Sequence, residues 1–186
     1  MACVLMLTLV LCGCQKTETP QPVPSGIVPP TPKLTSYDLT DQLGQPFSSK
    51  SLEGEVHLVS FFFAQCPSVC WKMNEQLGKW RQEHPDAPVK LVSITCDPDN
   101  DTPEVMAKYG ERFGADPDNW KFLTGDMNYI TKLAQDMYML GVQKHTHSSR
   151  VVVVDREGKI RGSFEVTEPD QYKRFEKTVE EVLAEG

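Results

Sequence analysis

Apolar and polar positions along the chain alternate in blocks whose periods predict most of the fold. HLVSFFFA (57–64) is a continuous apolar run, the pattern of a strand buried on both faces of a sheet. VKLVSITC (89–96) reads as a second buried strand. Residues 37–48, YDLTDQLGQPFS, alternate and turn at Gly44, which predicts a β-hairpin. Behind Pro67, a residue suited to a helix start, residues 68–84 carry helical spacing. DTPEVMAKYGERFG (101–114) predicts a helix capped by Asp101 or Thr102, with Pro103 in its first turn. NYITKLAQDMYMLG (128–141) predicts an amphipathic helix that ends at Gly141. RVVVVD (150–155) and KIRGSF (159–164) flank Arg156-Glu157-Gly158 as a second hairpin, and a charged helix from about Glu168 closes the chain. No internal repeat interrupts this order.

Strand, helix, strand, helix, antiparallel hairpin and last helix is the order of a thioredoxin-like fold. The expected class is α/β, a central mixed sheet flanked by helices, with an N-terminal β-hairpin added. At 186 residues the chain suits one such domain with appendages. Its formal charge of −7 argues against a nucleic-acid partner, because no basic stripe exists to neutralise phosphates.

The N-terminus reads differently. MACVLMLTLVLCGC is apolar and has no charge before Lys16. It is shorter than the roughly 20 apolar residues a spanning helix needs, and it reads as the apolar region of an export signal. Such a signal ordinarily opens with Lys or Arg, and this stretch has neither. Leu11-Cys12-Gly13-Cys14 has the form of a lipobox, which makes residues 1–13 a lipoprotein signal peptide and Cys14 the lipidated residue. Residues 14–33, rich in Pro, Thr and Gln, then form a tether, and 34–186 the exported domain. The expected location is extracytoplasmic, on the periplasmic side in a Gram-negative cell, anchored to a membrane without spanning it. The exported domain keeps three thiols, Cys66, Cys70 and Cys96, an odd count for an oxidising compartment.

Cys66 and Cys70 follow the strand 57–64 at the start of the next helix, the edge of an α/β sheet where reactive groups collect. Residues i and i+4 at a helix start have Cβ atoms about 5–6 Å apart, which suits a shared metal ion and also a disulfide. A helix N-terminus favours the thiolate that both chemistries need. The pair alone does not choose between metal binding, redox exchange and a structural bridge. A histidine would choose, since two thiolates and an imidazole make a soft three-coordinate site for Cu(I), or after rearrangement Cu(II). Of four histidines, His57 and His84 sit at element boundaries. His147, in QKHTHSSR just before the strand 150–155, is placed to face the cysteines. His145 points to the same side if that segment is extended, as an accessory ligand or a solvated loop residue.

Several separated features together resemble the Sco/SenC family of extracytoplasmic copper chaperones, over roughly residues 34–185. They are FFFAQC leading into CPSVC, SITCDPDNDTPEVMAKYGERFG, the turn NWKFLTGD, and His147-Ser148 followed by an apolar strand and the turn Asp155 to Gly158. The resemblance implies copper held by Cys66, Cys70 and His147. It also implies a role in building the dinuclear copper centre of cytochrome c oxidase, with subunit II or another copper-accepting protein as partner. The chain departs from the family pattern in three places. Thr146 stands where an acidic residue commonly precedes the histidine, which removes an orienting carboxylate. Trp71 stands where proline often follows the second cysteine, and its indole is expected to cover the site. Cys96, at the end of a neighbouring strand, is either a small buried hydrophobe, a third sulfur near the metal or a resolving thiol in disulfide exchange. Asp97, Asp99 and Asp101 read as a solvated acidic loop with a helix cap. The function expected is metal delivery more than enzymatic turnover. The rival is a thiol-disulfide oxidoreductase whose redox pair is Cys66 and Cys70. A peroxidase on the same fold is disfavoured by the absence of Thr-x-x-Cys in its usual proline setting.

Overall fold

The computed structural model describes residues 34–67 and 69–185. The signal peptide, Cys14 and the tether expected over 1–33 lie outside the described residues. All described residues belong to the unit spanning 32–186. Among them, no helix is long and apolar enough to cross a membrane.

The sheet is built around the most apolar run in the sequence. Strand β3 (Val56–Phe62) is buried along its whole length because both of its faces are covered. Leu58 and Phe62 face one core with residues of helices α1 (Val69–Glu83), α2 (Pro103–Glu111) and α4 (Pro169–Ala184). Val59 and Phe61 face a second core with residues of α3 (Met127–Tyr138). Strand β4 (Val89–Thr95) runs parallel to β3, from Val56 opposite Val89 to Phe62 opposite Thr95. Strands β6 (Val151–Val154) and β7 (Ile160–Phe164) form the expected hairpin, and β6 pairs antiparallel with β3. The N-terminal hairpin is β1 (Asp38–Asp41) with β2 (Pro46–Ser48), turning where Gly44 takes φ 72°.

Two local expectations are corrected, and a third, the cap of a helix, is decided between its two candidates. NWKFLTGD, read as a turn, contains strand β5 (Trp120–Thr124), which joins β4 in parallel and β1 antiparallel. It completes a seven-stranded mixed sheet of order β2-β1-β5-β4-β3-β6-β7. Helix α3 ends at Tyr138, short of Gly141: Met139 takes the left-handed position at φ 56°, and Leu140 N–H donates to Ala134 O at 3.0 Å. Helix α2 is capped by Thr102, whose hydroxyl accepts from Val105 N–H, while Asp101 turns into the protein. One glycine sets a helix position. A Cβ on Gly78 would lie 2.6 Å from Phe113 O, so α1 presses its backbone against the segment after α2. The result is a thioredoxin-like frame, with the β3–α1 and β4–α2 loops at one edge of the sheet.

Candidate metal centre

The β3–α1 loop is held at both ends of its turn. Cys66 N–H donates to Phe63 O at 3.1 Å. Ala64 N–H donates to both oxygens of Asp101, at 3.1 and 3.3 Å, and the Thr95 hydroxyl donates to the same carboxylate. A fully buried acid therefore ties this loop to the end of β4. Cys70 sits in the first turn of α1 and is fully buried, whereas Cys66 is half-buried.

His147 arrives from the loop before β6. Cys66, Cys70 and His147 each offer one ligand atom, and these atoms all lie within 4.8 Å of one another. The imidazole orientation follows from its partners. Nδ1 lies 2.8 Å from Ser148 O, a carbonyl that can only accept, so Nδ1 carries the hydrogen. Nε2 then presents a lone pair, 2.6 Å from Cys70 Sγ, and the thiol donates to it. The Phe63 ring stands edge-on against His147 at 5.8 Å and closes one side.

Burial pushes the Cys70 thiol far above its ordinary range, and its hydrogen bond with Cys66 adds to the rise. This differs from the expectation of a thiol lowered by the helix start: desolvation outweighs the lowering effect of the Phe63 backbone contact. Burial also lowers His147, which keeps the ring neutral, against a smaller opposing effect of Ser148 O. A neutral imidazole beside protonated sulfur is an arrangement in which an incoming ion could replace the shared proton. Metal bonds of about 2.0–2.3 Å to nitrogen and sulfur are within reach of side chains already gathered this closely. Two sulfurs and one imidazole nitrogen favour a soft ion.

The other expected participants are placed apart. Cys96 is fully buried in the core on the α3 side of the sheet, whereas Cys70 belongs to the core on the α1 side. No metal-binding group that includes Cys96 occurs among the described residues. Its thiol is pushed up to about 12, first by burial and then by the charges of Asp101 and Asp97. His145 is not in an extended segment: Gln143 and Thr146 exchange backbone hydrogen bonds around a tight turn, with His145 at φ 57°. The acidic loop is not solvated as a whole, because Asp97 and Asp101 are buried and only Asp99 is exposed, paired with Lys144. Trp71 is 41% exposed and leans on the Phe113 ring at 4.9 Å. His57 bonds Glu55 O and His84 bonds Trp80 O, the boundary roles expected of them. Phe63 and the Ser148 carbonyl were not legible beforehand, since no spacing rule marks a ring that packs on a ligand or a main-chain acceptor. A cavity of about 310 Å³ near Tyr37, His57 and Tyr138 is not lined by any of the three ligands.

The chain matches the SCO1/SenC family over residues 28–183. It is 28% identical over 178 residues to the SCO1 protein homolog of Bacillus subtilis, covering 90% of this chain and 88% of that protein. It is similar in structure to a SCO1/SenC family lipoprotein from Bacillus anthracis, with TM-score 0.73 and 27% identity, covering 81% of this chain and 94% of the other. It is also similar to copper-bound ScoI of Bradyrhizobium japonicum, with TM-score 0.56 and 27% identity, covering 74% of this chain and 96% of the other. With the match extending over most of its length, this chain belongs to the SCO1/SenC family.

Proposed function

We propose that the protein binds one copper ion through Cys66 Sγ, Cys70 Sγ and His147 Nε2, and delivers it to, or prepares, the dinuclear copper site of cytochrome c oxidase. It works outside the cytoplasm, anchored through lipid on Cys14. The observation that carries this reading is the convergence of the three ligand atoms within 4.8 Å, with the imidazole lone pair turned inward. Copper bound to the Bradyrhizobium japonicum relative supports the choice of ion, and the lipoprotein from Bacillus anthracis supports the anchor. Cys70 holds the proton that the ion displaces, Ser148 O holds the ring, and half-buried Cys66 is the sulfur through which cargo enters or leaves. Loading needs both sulfurs reduced, so oxidation of the pair would switch delivery off.

A Cu(I) titration of the reduced protein against a competing chelator tests this. One equivalent held tightly, and lost in His147→Ala and Cys66→Ser, is the expected result. Thiol-disulfide exchange is the second reading, favoured by the hydrogen bond between the two thiols. It would be adopted if copper were not retained while His147→Ala still reduced a protein disulfide at the wild-type rate.

A further inference from the structure

We propose that His145 is an outer metal ligand, which receives the copper ion before Cys66, Cys70 and His147 take it. This rests on the copper reading above and adds an entry step to it.

His145 Nε2 lies 3.1 Å from Asp97 Oδ2. The contact is one of proximity and charge; an acceptor-only oxygen this near favours the hydrogen on Nε2 and leaves the lone pair on Nδ1. No described residue bonds Nδ1, and the side chain is 52% exposed. Asp97 is 1% exposed and also accepts from Asn100 Nδ2 at 2.8 Å; its Oδ1 is buried and accepts no hydrogen bond among the described residues. A carboxylate beside one imidazole nitrogen, with the other nitrogen open, is the support found behind metal-bound histidines, where it fixes the tautomer and raises ligand basicity.

Three observations hold this residue beside the inner centre. The His145 ring lies against Phe63 at 5.5 Å, the same ring that packs on His147 at 5.8 Å. His145 N–H donates to Cys96 O at 3.2 Å, which pins the turn to the end of β4. The left-handed φ of 57° at a non-glycine residue is a conformation that bulky side chains adopt at a cost, and the turn holds it there. The buried Asp97 supplies negative charge behind the ring, while Asp99 is already paired with Lys144.

The transfer is a ligand exchange without change of oxidation state. Cu(I) bound at His145 Nδ1 forms bonds to Cys66 Sγ, Cys70 Sγ and His147 Nε2. The bond to Nδ1 breaks and leaves the lone pair on that nitrogen, and the two thiol protons pass to solvent.

The test is stopped-flow loading of the reduced protein with Cu(I) presented as its acetonitrile complex, followed by thiolate–copper absorbance in the ultraviolet. His145→Asn suits the turn because Asn tolerates left-handed backbone, and His84→Ala serves as a distant histidine control. The expected result is loading about tenfold slower in His145→Asn, a loss of the size that metal-supporting groups cause, with the final spectrum and stoichiometry equal to wild type. His84→Ala should load at the wild-type rate. Equal rates in His145→Asn and wild type overturn the proposal while leaving the copper reading intact. A changed final spectrum or lost stoichiometry also overturns it, by making His145 a permanent ligand or a structural residue. A wild-type protein that takes up no Cu(I) defeats both readings.

Discussion

Cys70 and Cys96 are both fully buried thiols near one edge of one sheet, yet only Cys70 meets an imidazole. Cys70 lies on the α1 face, and its sulfur is the one that His147 approaches. Cys96 directly follows β4 with its side chain in the α3-side core, among residues such as Ile94 and Val142. Burial raises both thiols. Burial is therefore common to both, and what separates them is the nitrogen lone pair and second sulfur gathered around Cys70.

The comparison breaks first at Cys70. Cys70→Ala should weaken Cu(I) binding by more than the roughly 10–100-fold that outer-sphere partners cost, while Cys96→Ser leaves affinity unchanged in the same chelator competition. Equal losses in both variants would make the two thiols one site. The next test is pH. The raised Cys70 thiol is protonated near neutrality and must lose its proton to the metal, so apparent affinity should climb about tenfold per pH unit from that residue alone. His147, lowered by burial, is already neutral there and releases none. A flat profile between about pH 6 and 8 would mean the sulfur is ionised before metal arrives.

Cys96 should instead matter to folding. Cys96→Ser places a hydroxyl in an apolar core and should cost about 1–3 kcal/mol in denaturant unfolding, with one equivalent of copper still bound. The smallest effect is alkaline. Because the folded Cys96 thiol is raised to about 12, its contribution to stability is complete below the unfolded value and is lost as pH rises toward the folded one. Cys96→Val should flatten that part of the stability profile; an unchanged slope would assign it to other groups.

Legibility followed the range of the interactions involved. The run 57–64 announced a doubly covered strand because every position is apolar or small, and β3 is buried throughout. β5 was missed because five residues carrying Lys121 between aromatics have no telling period, and they become a strand only when β4 and β1 supply partners. The end of α3 was misplaced because glycine is the ordinary left-handed residue, while here Met139 adopts that conformation. At the site, the cysteine spacing was visible locally, and His147 was visible through its place before the apolar strand. For His145 the reading depended on whether its segment is extended, and the structure shows a turn that holds it to Cys96 O, near Asp97.

The sequence by itself determined most of the order of elements, β5 excepted, the thioredoxin-like class and the pairing of Cys66 with Cys70 at a helix start, since each depends on local period or short spacing. Only the tertiary structure decided which nitrogen of His147 faces sulfur, which face of the sheet each thiol occupies, and that Asp97 and Asp101 are buried. Those outcomes depend on desolvation and on hydrogen bonds between distant groups, such as Cys70 and His147, 77 positions apart. Neither is set until the chain has closed around them.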